Sequence, residues 1–108
     1  MDQPGHEAMS SEAVQNVRQQ TENYRRALKY LDGCGDLTYE KLREAWQISS
    51  VDMPESQLRQ QWLQADYILP TGGQPGGKES LRFMMRNTLL EAIATFEALA
   101  DKLAGSGK

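Results

Sequence analysis

The chain has 108 residues, 39% of them hydrophobic and 25% charged, with a formal net charge of −3. That is enough for one domain and one core, but a slightly apolar-poor one that gains from burial against a copy or a partner. The charge excludes a global pull toward nucleic acid or an anionic membrane, the single cysteine excludes an intramolecular disulfide, and no apolar run reaches the roughly 18 residues of a membrane span.

The start, Met1-Asp2-Gln3-Pro4-Gly5, has neither the basic opening nor the apolar run of a secretory signal. A reducing, cytoplasmic compartment is expected. Residues 1–9 read as a mobile N-terminal tail and 104–108 as a frayed C-terminus around a single helical domain at 10–103. The fold class expected is all-α, a four-helix arrangement with two long outer helices and two short inner ones.

The first helix is expected over 10–32, capped by Ser10 or Ser11 with Glu12 in its first turn. Val14, Val17, Thr21, Tyr24, Leu28 and Leu31 recur at spacings of 3, 4, 3, 4 and 3, a heptad seam. Asp32-Gly33-Cys34-Gly35-Asp36 breaks it, with Gly33 suited to a left-handed C-terminal turn. The second helix is expected over 38–49, with Thr38 as cap and Leu37 and Leu42 as a hydrophobic staple. Its buried stripe is Leu42, Ala45, Trp46 and Ile48.

The third helix is expected over 54–69, opened by Pro54 and stopped by Pro70, with Leu58, Trp62, Ala65 and Leu69 inward. Residues 70–77, with four glycines and two prolines, read as a loop. The fourth helix is expected over 79–103. Its core stripe reads Leu81, Met85, Thr88, Leu89, Ala92, Phe96, Leu99 and Leu103.

Several chemistries come close and fail. Gly72, Gly77 and Lys78 match the first seven positions of a phosphate-binding P-loop. The eighth, which should be Ser or Thr, is Glu79, and no strand precedes the loop. Residues 32–43 resemble the exit half of a calcium-binding EF-hand, but Tyr30, Cys34 and Lys41 fall on the ligand positions and none supplies a carboxylate. The sole histidine, His6, and the sole cysteine, Cys34, are too few for a zinc site within one chain. Glu40 and Glu44 share a helix face with Lys41 and Arg43 close by, which is a solvated face and not an acid–base pair. No catalytic residue, metal site or cofactor is expected.

The fourth helix is apolar on two sides. Phe83 and Leu90 lie seven residues apart and about 160–180° from the core stripe, with Met84 and Ile93 widening the flanks. Either the other three helices enclose this helix or its back is an interface, and a chain with two short helices encloses a long one with difficulty. The Val14–Leu31 seam carries the same alternative: intramolecular core, or a self-complementary dimer seam. The candidate partner or dimer interface is therefore Phe83, Met84, Leu90, Ile93, Val14, Val17, Tyr24 and Leu28.

In size, helix order, lack of a signal and long apolar C-terminal helix, with the Val14–Leu31 seam and the Phe83/Leu90 face, the chain resembles the small helical anti-activators of LuxR-type quorum-sensing regulators. That resemblance implies competition for an apolar dimerisation surface, without a cofactor. The expected partners are another protein, a transcription regulator among them, and a second copy of the chain; nucleic acid and membrane are not expected. The alternative is a DNA-binding or DNA-associated regulator using Arg18, Arg25 and Lys29 of the first helix with Arg59, Gln60, Gln61 and Gln64 of the third.

Overall fold

The computed structural model describes the backbone of residues 4–105 and the side chains of 11–105. Its elements are α1 (Pro4–Gly33), α2 (Tyr39–Ile48), α3 (Glu55–Gln64), a 3-10 turn (Ala65–Tyr67) and α4 (Lys78–Gly105). Two long helices thus flank two short ones in chain order. Among the described residues there is no strand, only an isolated bridge between Thr71 and Gln74.

The seam of α1 and the stripe of α4 pack on each other as an antiparallel pair. Asp32 pairs with Arg86 at one level and Arg25 with Glu97 at another. Tyr24 meets Phe96 edge to face, with ring centroids 5.3 Å apart. The short helices cover one side of one end of this pair. Gln20 Nε2 donates to the Ser49 carbonyl at 2.6 Å and Asn23 Nδ2 to Ser50 Oγ at 3.1 Å, which pins the end of α2 to the middle of α1. The core lies where all four helices meet, around Leu31, Leu42, Leu58, Leu81, Met85 and Leu89.

Beyond that end, among the described residues, α1 and α4 run on without cover from the short helices. The molecule measures 60 × 29 × 22 Å and its radius of gyration is 17.6 Å. A compact chain of this length would have about 13 Å.

The helix ends follow local chemistry. Thr38 is extended (φ −116°, ψ 167°) and its side chain accepts from Lys41 N, so it caps α2 as its sequence position implies. Leu37 and Leu42, the two staple residues, are both buried. At the other end Ser50 N bonds Gln47 O and Val51 N bonds Trp46 O, with Ser50 at φ 62°. This is a Schellman ending with serine in the left-handed position that glycine usually holds.

Four sequence expectations are corrected. The backbone of α1 is helical from Pro4, so Ser10 and Ser11 are not caps; Pro4 fits a first turn because its missing N–H has no partner there anyway. Residues 1–3 of the tail and 106–108 of the C-terminus lie outside the described residues. Gly35 (φ 76°), not Gly33, takes the left-handed turn after α1.

The third helix ends at Gln64, tightens into the 3-10 turn and is extended at Ile68, and Leu69 is 77% exposed. Proline at 70 disfavours helical backbone at 69, and the chain leaves the helix several residues earlier. On α4, Ala100 is buried while Thr88 and Leu99 are exposed, so the stripe runs Leu81, Met85, Leu89, Ala92, Phe96, Ala100.

Candidate partner-binding surface

The connection 70–77 is more ordered than its glycine content implies. Thr71 and Gln74 exchange both backbone hydrogen bonds, at 3.1 and 2.6 Å, around Gly72 (φ 38°) and Gly73 (φ 86°). Two left-handed residues in a row make the two-residue turn that glycine pairs favour. Gly77 N then bonds Ile68 O at 3.0 Å, and Gly76 passes so close to Ile68 O and Pro70 that a Cβ there would sit 2.6–2.7 Å away. The turn is thereby stitched back onto residues 68–70.

That stitching props the segment after α3 outward. Tyr67 is 85% exposed and Leu63 and Leu69 are also exposed. Beside them Ile68 and Met84 line a groove of about 230 Å³, together with Leu42, Trp46, Met53, Gln61, Gln64, Leu81, Met85 and Thr88. None of these ten side chains is charged, and three are methionines, whose flexible thioethers adapt to varied apolar partners. Trp46 Nε1 is buried and has no acceptor among the described residues.

The expected interface residues separate into three environments. Met84 is exposed on the groove side. Leu90 is exposed and Ile93 and Phe83 half-buried on the opposite side of α4. Tyr24 and Leu28 pack against the core, while Val14 and Val17 are half-buried on the bare part of α1. The helical pattern set Leu69 inward and passed over Ile68 because it carried the third helix through both. Leu69-Pro70 was the signal that could have placed them outside a helix.

The near-miss motifs have structural employment. Lys78 Nζ bonds the Trp62 carbonyl, pairs with Asp66 at 3.1 Å and lies 4.3 Å from the Trp62 ring centre, so the P-loop-like lysine ties the loop to α3. Lys41 Nζ donates to the carbonyls of Cys34 (2.6 Å) and Asp36 (3.0 Å), an ammonium where a calcium loop would put its bidentate carboxylate.

Arg82 donates to the carbonyls of Leu31 and Gly35, satisfying groups left open after α1. Its hydrogen bond to Glu79 raises the guanidinium pKa further. No cluster of three or more metal-ligating side chains occurs among the described residues, and no helix there is long and apolar enough to cross a membrane. His6 has no described side chain.

The basic side of α1 is interleaved with acid. Arg25 pairs with Glu97 and Glu22, and Arg26 donates to Asn23. On α3, Arg59 pairs with Glu55 at 3.6 Å. Tyr39 also bonds Glu55, which raises the phenol above its ordinary value, and burial does the same for Tyr30.

The chain matches no protein-family model, and no curated protein or solved structure is significantly similar to it.

Proposed function

We propose that this chain is a small, non-enzymatic regulatory protein that binds another protein and masks an apolar surface on it. The observation that carries this reading is the uncharged, methionine-lined groove with Ile68 and Met84 in its wall and the exposed Tyr67 and Leu69 on either side of Ile68 in the chain. Exposed aromatic and aliphatic side chains beside an adaptable apolar groove suit an apolar helix laid into it. A helical dimerisation surface of a transcription regulator is such an element, and the resemblance to LuxR-type anti-activators points to that partner class. The protein acts in the cytoplasm, as a homodimer, without cofactor.

The test is capture of partners by the full chain from its native cell, with the mass of the retained complex measured, in parallel for wild type, Met84→Asp and Leu69→Asp. Both positions are exposed, so the fold survives, as circular dichroism checks. The expected result is a protein retained by wild type and lost from both variants. Retention that ignores both substitutions overturns the reading. So does retained nucleic acid whose binding falls steeply with salt and with loss of Arg18 and Lys29.

A further inference from the structure

No described residue of α2 or α3 packs on the side of the α1–α4 pair turned away from them, where Arg25, Asp32, Arg86, Leu90 and Glu97 are exposed. On α4, Arg86, Leu90, Ile93 and Glu97 follow at spacings of 4, 3 and 4, one face of a helix. On α1, Arg25, Leu28 and Asp32 do the same. Between the ion pairs Asp32–Arg86 (3.0 Å) and Arg25–Glu97 lie Leu90 and Ile93 on α4 and Leu28 on α1, the last half-buried and also packed on the core. All four charged side chains are about half exposed, between 45% and 51%.

The order of charge inverts between the ends. At one end α1 is negative and α4 positive; at the other α1 is positive and α4 negative. Arg18 and Asp101, which flank one surface recess with Arg25 and Glu97, extend the second arrangement by another turn or more, and the one α1 acid lining that recess, Glu22, lies 4.0 Å from Arg25. A face with this checkerboard is complementary to itself.

We infer that the occupant of this face is a second copy of the chain, related by a two-fold axis parallel to the helices. That operation lays α1 on the partner's α4 at the same level. Arg25 then meets the partner's Glu97, Asp32 the partner's Arg86 and Arg18 the partner's Asp101. Leu28 meets the apolar centre of the partner's α4, and the two pairs close into a four-helix bundle in which every neighbour is antiparallel.

From Phe83 to Asp101 the face is about 27 Å long at 1.5 Å per residue. With two helices about 20 Å wide, it covers roughly 1,100 Å² over both copies in projection, the low end for a specific interface. The two grooves face outward in this assembly. The inference rests on the homodimer part of the proposed function and is independent of the groove.

The experiment is sedimentation of the full chain across a concentration series, with helicity and melting recorded for each variant. Wild type is expected to move from monomer to dimer as concentration rises. Leu90→Asp and Arg25→Glu each weaken the dimer at least about tenfold while remaining folded. The exchange Arg25→Glu with Glu97→Arg, made together with Glu22→Gln to remove the acid that also pairs with Arg25, keeps the 25–97 pair of opposite charge within and between copies and restores the dimer. Met84→Asp leaves the dimer unchanged, which separates this face from the groove. A wild type monomeric throughout, a Leu90→Asp chain that dimerises like wild type, or a folded exchange variant that stays monomeric overturns the inference.

Discussion

Leu81 and Leu99 stand at the same angle around α4, five full turns apart, yet the first is 7% exposed and the second 38%. The helix is one and the residue type is one; only the level along the axis differs. At Leu81 the short helices close the side of the long pair, and at Leu99 no described part of them does. The contrast teaches that burial here is set by which neighbours reach a given level, while the helical stripe sets only the direction a side chain faces.

The largest expected effect tests that contrast directly. Leu89→Ala, at a site only 1% exposed, should cost about 2–5 kcal/mol in chemical denaturation, and Leu99→Ala under about 1 kcal/mol. Equal costs would show that the bare end is packed as tightly as the covered one.

Next comes Gly76→Ala. The added Cβ would press on Ile68 O and the proline ring at 2.6–2.7 Å, so the turn must shift. A loss of about 1–3 kcal/mol is expected, together with faster hydrogen exchange at Gly77 N, as the covered end loosens. Unchanged exchange would mean that the stitch to residue 68 contributes nothing.

A smaller loss, about 1 kcal/mol, is expected for Thr38→Ala, which removes the cap of α2 while leaving α1 and α4 untouched. Thermal melts with the asparagine variant as a rescue would separate capping from packing.

The smallest effect is on pH. Tyr39 donates to Glu55 and links α2 to α3, and its pKa is raised from 10.0 mainly by that bond. A raised folded pKa means the contribution is present below pH 10 and lost as pH climbs through the folded value. Wild type should therefore lose slightly more stability than Tyr39→Phe as pH rises above 10, read from melting temperatures, and parallel curves would remove the bond from the account.

Much of this was legible in the residues. The cap at Thr38, the staple of Leu37 and Leu42, the heptad seam and the α4 stripe are local signals, carried by spacings of three and four and by a side chain that reaches its own backbone. Errors gathered where local and distant forces compete. Pattern alone extended the third helix to Leu69, although the proline after it already weighed against helix there. The glycine loop looked shapeless because its order comes from bonds to residues 68–70 made only after the chain turns back.

The sequence by itself determined the all-helical class, the order of two long and two short helices, and the absence of the ligand sets that several near-motifs demand. Periodicity and capping act within one or two turns, so a single chain segment suffices to express them. Tertiary structure alone decided which apolar residues are covered. It put Ala100 inside and Leu99 outside, set Met84 on a groove and Leu90 on the opposite face, and joined charges more than fifty residues apart into one checkerboard. Those outcomes depend on how far along α1 and α4 the short helices reach, a length that no periodic pattern encodes.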